Sequence, residues 1–505
     1  MPLDFATGRG TLLSVLPEAV LTTWAMLVLL HAAWRHKEPR AQRLTGWLSL
    51  AGVVLTAGVT IWLWQAELRF TGVPNALAVD AFRWAVTLIV LLGAGLTILL
   101  SIDYLEREGI AVPEFHALVL FATVGMMLLA GASDLMTLFL GLETMSVAVY
   151  VLAGINRASI HSAEAALKYF LLGAFASAFL LYGIALIYGA TGTTRLPVIA
   201  AYLATGAEPG TMLYAGLGLL FIGFAFKIAA VPFHMWAPDV YDGSPTPVTA
   251  FMAASVKAAA FAALVRVLLQ AFPSLHASWD TVLWWLAAVT MLVGNLLALA
   301  QRNLKRMLAY SSVAHAGYLL AAVVSGSLAG AAAFLFYLTF YTVTTVGSFA
   351  VVIAKGRGGE RDVTVDDLTG LGDTHPLLAV TMTVCMLSLL GFPGTAGFIG
   401  KWYILTSATG AGYPVLAAVL VLTSVISAGY YLPIVMAMYM KRPVHDGQHA
   451  DVSLPPAHRG ILAAVLALLL LFGVWPNKAL DLARQGSGAF RPTHQLPLAT
   501  LPPSP

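Results

Sequence analysis

The chain is a succession of apolar runs, each about 18–27 residues long and separated by short polar breaks. A helix rises about 1.5 Å per residue, so such a run can cross the roughly 30 Å hydrocarbon layer of a bilayer. Membrane barrel strands would be about 10 residues long with alternating faces, and a β-barrel is therefore excluded. Composition agrees: 59% of the 505 residues are hydrophobic, against about 45–50% in soluble domains. The expected fold is an all-α polytopic membrane protein. Net charge is only +3 and no basic aromatic patch stands apart from the runs, so nucleic acid is not an expected partner. The N-terminal MPLDFATGRG lacks the basic start of a secretory signal, and the first run is expected to stay as a helix.

Apolar windows place about 14 transmembrane helices, near 12–33, 44–64, 81–101, 114–132, 134–154, 162–189, 211–231, 247–271, 280–300, 306–325, 328–354, 377–409, 413–440 and 459–476. Most loop Lys and Arg fall on one side if both termini lie outside, the orientation that the positive-inside rule favours. Beyond Trp475 the chain turns polar and proline-rich, and a frayed tail is expected. The single cysteine, Cys385, lies in an apolar run. No disulfide framework and no thiolate metal or Fe–S site can be built from it, so no cofactor or metal is expected in this chain.

Two runs carry breaks. Pro232, in FAFKIAAVPFHMW, removes an amide and collides with the carbonyl of Ile228. Pro393, with Gly391, Gly394 and Gly397, interrupts the twelfth run and should free the carbonyl of Leu389. Broken backbone at membrane depth is tolerated where protein or a wet cavity satisfies it, and paired breaks mark inverted-repeat transporters. The breaks are five runs apart, and an odd offset implies opposite orientation. The reading is two inverted five-helix repeats, helices 4–8 and 9–13, with broken helices 7 and 12. The chain then divides into 1–112 (helices 1–3), 113–275 and 276–442 (the repeats), 443–476 (helix 14) and 477–505 (the tail).

Lys227, Lys257 and Lys401 lie inside these runs. A lysine at the centre of a spanning helix costs roughly 2.5–3.5 kcal/mol to insert, an expense that usually marks an ion or proton path. Snorkelling to the headgroups is the plain alternative. The breaks next to Lys227 and Lys401 argue for a wet interior, and Lys257 sits mid-run among alanines. A lysine that changes charge state can carry a proton. Lys401 also has a structural option, capping carbonyls freed by its break.

Glu143 is the one carboxylate deep in an apolar helix. Beside a lysine such as Lys227 it would stay charged and govern the lysine's protonation; alone it would be a protonated hydrogen bonder. His315 has Ser311 and Ser312 one turn earlier and Tyr318 one turn later, a polar stripe on one helix face. Lys168 and Lys305 stand near helix ends, where a snorkelling residue or a positive-inside anchor explains them as well as a proton path. Arg266 and His234 read as interfacial.

The stretches LGLETMSVAVYVLAG, ALKYFLLGAFASAFLLYGIALIYGATGTT, FKIAAVPFHMWAPDVYDGSPTPVTAFMAASVKAAAF, NLKRMLAYSSVAHAGYLL and LLGFPGTAGFIGKWYIL resemble the antiporter-like membrane subunits of respiratory complex I, over nearly the whole chain. A lysine at the twelfth-helix position and an ending soon after helix 14 favour the N type over M and L. The resemblance implies proton translocation within NADH:quinone oxidoreductase. It carries the helix-5 glutamate onto Glu143, the helix-7, helix-8 and helix-12 lysines onto Lys227, Lys257 and Lys401, and further axial positions onto Lys168, Lys305 and His315. It also implies a bacterial cytoplasmic membrane, FMN, Fe–S clusters and quinone in partner subunits, and neighbours of the M and K types together with a peripheral arm. The alternatives are a subunit of a cation/proton antiporter or membrane-bound hydrogenase on the same fold, and a membrane scaffold whose polar residues merely pack helices.

Overall fold

A computed structural model describes residues 5–35, 39–66, 76–110, 112–206, 209–356, 363–441 and 454–491. Among them 11 helices are long and apolar enough to cross a membrane, and three shorter apolar helices complete the expected number. In chain order the crossings are α1 (Leu16–Trp34), α2 (Pro39–Gln65), α3 (Ala81–Arg107), α4 (Phe115–Gly131), α5 (Leu135–Ala153) and α6 (Ile160–Thr191). The broken seventh follows as α7a (Thr211–Lys227) and α7b (Trp236–Gly243), then α8 (Thr246–Ala271), α9 (His276–Leu299), α10 (Leu304–Val324) and α11 (Leu328–Lys355). The broken twelfth is α12a (Pro376–Leu390) and α12b (Ala396–Gly410), followed by α13 (Pro414–Met440) and α14 (Pro456–Val474).

Side chains at the helix starts satisfy amides that have no partner in the first turn. Asp80 accepts from Arg83 N, Asp134 from Met136 N, Asn303 from Lys305 N, and Ser327 from Gly330 N, each at 2.8–3.0 Å. Glycine lets helices approach: a Cβ on Gly294 of α9 would lie 2.5 Å from Ala314 N of α10. The bundle is layered by burial. Helices α8, α10 and α11 are enclosed almost completely, whereas about a third of the α1 and α14 windows is buried. Lys257 and His315 thus ride on the innermost helices, where snorkelling has no route to the headgroups.

Two features refine the expectations. Arg266 is fully buried within the protein near its helix end, with both terminal nitrogens on Asp80 at 2.7 and 2.9 Å and Nε on Ala130 O. Beside it Arg83, also fully buried, donates to both oxygens of Glu18 and to the carbonyls of Ser14 and Ala78. Burial by itself would raise the Asp80 carboxyl, but Arg266 and Arg83 outweigh it and hold the group below its ordinary value. The pairs tie α1, α3, α4 and α8 together at one end. The second, a correction, concerns the tail: Asn477–Ser487 forms a helix, α15, packed across α11 and α3 through Leu480, Ala483 and Gly486. Phe490 meets Phe82 edge-on at 4.8 Å. The polar and apolar residues of 477–487 separate onto two helix faces, which anchors the segment. The rest of the expected frayed tail, 492–505, lies outside the described residues.

Removing one partner of a buried ion pair costs about 3–5 kcal/mol. Arg266→Ala should therefore lower the thermal midpoint of the detergent-solubilised protein sharply, and Asp80→Asn added to it should restore part of the loss.

A buried lysine and hydroxyl axis

The first break starts at Lys227 itself. Helix α7a ends there, Ala229 takes a left-handed backbone with φ of 56°, and helix resumes at Trp236. The interrupted backbone is satisfied by protein: Trp236 Nε1 donates to Phe226 O and Val231 N to Thr290 Oγ1, both at 3.0 Å. Lys227 is 3% exposed and donates to Ser146 Oγ at 2.8 Å and Tyr150 OH at 3.0 Å, both on α5. Its ammonium also lies 5.0 Å from the Tyr150 ring centroid.

Glu143, one turn before Ser146, does not touch the lysine. Among the described residues no carboxylate oxygen lies within 4 Å of Lys227 Nζ, and the buried Glu143 Oε1 has no hydrogen-bond partner. The α5 groups that meet the ammonium are Ser146 and Tyr150, about one and two turns beyond Glu143.

Lys257 follows directly on a π-helical turn, Met252–Val256, that nothing in the sequence announced. It is 2% exposed, and Nζ donates to Ser312 O at 2.7 Å and to Ser312 Oγ. Tyr341 OH donates to the same hydroxyl at 2.9 Å. His315 stands one turn further along α10. Its Nδ1 is 2.5 Å from Tyr337 OH and its Nε2 is 3.2 Å from Tyr431 OH, while Tyr431 also reaches Ser311 Oγ. The imidazole stacks on the Tyr341 ring at 5.3 Å, which links the histidine to the Lys257 cluster.

The chain of polar groups continues from α13. Tyr430, packed on Tyr431, donates to Asn295 Oδ1 at 2.8 Å, and Asn295 Nδ2 donates to Tyr318 OH at 3.1 Å. Lys401 Nζ sits 4.3 Å from the Tyr318 ring centroid. It is 5% exposed and donates to Ser424 Oγ and to Leu390 O, each at 3.1 Å. The second break thus supplies a ligand for the lysine beyond it. The carbonyl concerned is that of Leu390 rather than Leu389, because Gly391, with φ of 87°, ends the helix before Pro393 acts. A side chain at Gly391 would also lie 2.9 Å from Lys401 Cδ.

The axial residues therefore fall into two stretches, the second made of hydrogen-bonded segments that ring contacts join. One holds Lys227; the other runs from Lys257 through His315 to Lys401. Aromatic side chains fill the gap, with Tyr169 stacked on Trp236 at 4.5 Å and Trp236 edge-on to Tyr241 at 6.1 Å. Lys168 stands away from this axis. It is 41% exposed and pairs with Glu164 and Asp239, and Asp239 also binds Arg306. Lys305 is 6% exposed and donates to Ser244 O at 2.8 Å. His234 is half-buried at the first break. The expected stripe of Ser311, Ser312, His315 and Tyr318 is present. Tyr150, Tyr337, Tyr341, Tyr430, Tyr431 and Asn295 were not singled out, although hydroxyl and amide groups recurring in apolar helices were the available signal.

Broken helices 7 and 12 flanking a buried lysine axis define the class of antiporter-like membrane subunits. The family described as "NADH:quinone oxidoreductase/Mrp antiporter, TM" matches residues 132–427. The NADH-quinone oxidoreductase subunit N of Gemmatimonas aurantiaca is 47% identical over 97% of this chain and 96% of its own length. That of Trichlorobacter lovleyi is 48% identical over 93% and 96%. A chain in the structure of respiratory complex I from Thermus thermophilus with bound aureothin superposes with a TM-score of 0.78 and 39% identity, over 93% of this chain and 99% of that one. A chain of the Mrp complex from Dietzia shares the fold at a TM-score of 0.79 with 24% identity. The chain belongs to the NADH:quinone oxidoreductase/Mrp antiporter membrane family, and its curated relatives are N subunits.

An unpaired buried donor or acceptor costs about 1–3 kcal/mol. Ser146→Ala and Tyr150→Phe should each destabilise the purified protein by about that much in thermal unfolding. In a Lys227→Met background the same changes should cost clearly less, because the donor they satisfy is gone.

Proposed function

We propose that this chain is a proton-translocating membrane subunit of NADH:quinone oxidoreductase, moving protons along its lysine and hydroxyl axis while partner subunits transfer electrons from NADH to quinone. The observation that carries this reading is the run of hydrogen bonds and ring contacts from Lys257 through His315 to Lys401, with a buried lysine at each end. Hydroxyls and imidazole both donate and accept, so each can take a proton on one side and release it on the other. Lysines held by neutral oxygens can be charged or neutral without leaving a counter-charge stranded.

Lys227, with Glu143 in electrostatic reach, is the control element. A change in the Glu143 charge state alters the stability of the Lys227 ammonium, and the adjoining aromatic and hydroxyl groups pass the effect to Lys257. His315 relays to Lys401, from which the proton leaves. Lys168 and Lys305 serve the rim. One proton moved against 100 mV needs about 2.3 kcal/mol, and a relative change of about two pKa units at 1.36 kcal/mol each is of that size.

The division into inverted units 113–275 and 276–442 places one broken helix in each half-channel. The setting is a bacterial cytoplasmic membrane with both termini outside. FMN, Fe–S clusters and the quinone site belong to partner subunits, and M- and K-type membrane subunits are the neighbours. A cation/proton antiporter reading predicts sodium-dependent exchange without NADH oxidation.

An assembled complex carrying Lys227→Ala should oxidise NADH with strongly reduced proton uptake into vesicles; wild-type uptake would remove Lys227 from the mechanism. Lys401→Ala should impair transport similarly, and unchanged proton stoichiometry would exclude an obligatory relay there. Tyr431→Phe deletes the hydroxyl between Ser311 and His315, and coupled turnover should slow roughly 2- to 10-fold, the equivalent of one hydrogen bond of about 0.5–1.5 kcal/mol.

A further inference from the structure

A glycine inside a helix is less favourable than an alanine, so its presence in a packed bundle points to a neighbour that needs the space. At Gly125 and Gly183 that neighbour is backbone. A Cβ on Gly125 would lie 2.4 Å from Met145 N and 2.7 Å from Gly141 O, and one on Gly183 would lie 2.7 Å from Gly216 O. Such glycines set the spacing between helices. Gly173, buried in α6, is different. The three atoms nearest to its missing Cβ all belong to the phenol of Tyr150 on α5: the hydroxyl oxygen at 2.0 Å, Cζ at 2.7 Å and Cε1 at 3.0 Å.

The same hydroxyl accepts from Lys227 Nζ at 3.0 Å. Its ring is walled in: Tyr169 meets it edge-on at 4.8 Å and Phe170 at 5.9 Å, and Tyr169 is itself stacked on Trp236. A methyl carbon keeps roughly 3.5 Å from a neighbouring atom. With alanine at 173 the hydroxyl would therefore have to move by more than about 1 Å. The bond to Lys227 has far less slack, because N–H···O contacts end near about 3.2 Å. Ser146 Oγ, at 2.8 Å, holds the ammonium where it is, so the lysine does not simply follow.

We propose that Gly173 is a positioning residue for Lys227: the missing Cβ on α6 is the seat that lets the Tyr150 phenol lie against the helix with its hydroxyl on the ammonium. Gly173 touches neither the lysine nor the proton and acts through Tyr150. Three consecutive crossings then build the Lys227 site, with α5 supplying the oxygens, α7a the lysine and α6 the space that fixes one of those oxygens. The consequence for transport rests on the translocation reading above, whereas the contact itself does not.

Two measurements test the assignment. The first is thermal unfolding of the purified full chain in detergent. Gly173→Ala should lower the midpoint, and in a Lys227→Met background, where no ammonium needs the hydroxyl, the drop should be clearly smaller. A glycine that only spaces helices costs the same with either residue at 227, so equal drops, or no drop at all, overturn the positioning role. The second is the rate of proton uptake by the assembled complex in liposomes. Gly173→Ala should slow coupled uptake roughly 2- to 10-fold, as expected for one lost hydrogen bond, and Gly173→Ala with Tyr150→Phe should be no slower than Tyr150→Phe alone. Effects that multiply in the double variant count against the inference, as does wild-type uptake by Gly173→Ala where Lys227→Ala is impaired. Wild-type uptake by both removes the translocation reading instead, and the unfolding experiment then decides the contact by itself. Should Gly173→Ala not assemble, Tyr150→Phe is added to it: recovered assembly supports the seat, and continued failure overturns it.

Discussion

An ammonium inside hydrocarbon must find oxygen atoms, and in this bundle the three axial lysines find neutral ones. Lys227 is held by two hydroxyls, Lys257 by a serine hydroxyl and its carbonyl, and Lys401 by a hydroxyl and a helix-end carbonyl. Neutral acceptors solvate the charge without fixing it, because losing the proton leaves no buried anion behind. Carboxylate partners appear elsewhere. Arg83 and Arg266 are paired with Glu18 and Asp80, and Lys168 and Arg306 with Asp239. Arginine stays charged, so the first two pairs act as permanent fastenings between helices. The molecule thus separates charges that hold helices together from charges that can change state.

The helix breaks belong to the same arrangement. A continuous helix uses its carbonyls in its own ladder, and an interruption frees one entirely for a side chain. Leu390 O is released by the left-handed turn at Gly391 and is taken by Lys401. At the first break the released groups are taken by Trp236 and Thr290 instead, and Lys227 turns to α5. The two breaks therefore do different local work, although each leaves a lysine at its edge. The π-helical turn before Lys257 is a third irregularity, on a helix whose one proline, Pro247, sits in the first turn.

Fourteen crossings, both breaks and all three axial lysines were legible because each depends on local chemistry: run length, a missing amide, a costly charge. The tyrosines were not. A tyrosine in an apolar helix is ordinarily a packing residue, and only the meeting of α10, α11 and α13 turns Tyr337, Tyr341 and Tyr431 toward one imidazole. The Glu143–Lys227 relation was half legible, since two charges in facing helices could be paired on paper but their relative height could not. Arg266 read as interfacial because it lies in the outer part of its run; that it is enclosed by protein there depends on Asp80, distant in sequence.

Sequence alone determined that this chain is a bundle of membrane helices, where those helices fail, and which charged residues must be enclosed. These follow from short-range rules of length, backbone geometry and solvation, and they hold whatever the helices pack against. Tertiary structure alone decided which oxygen each lysine meets, that Glu143 makes no ion pair with Lys227, and that Lys168 stands outside the axis. Those outcomes depend on helix register and rotation, where one turn shifts a side chain by about 5.4 Å, more than the length of a hydrogen bond.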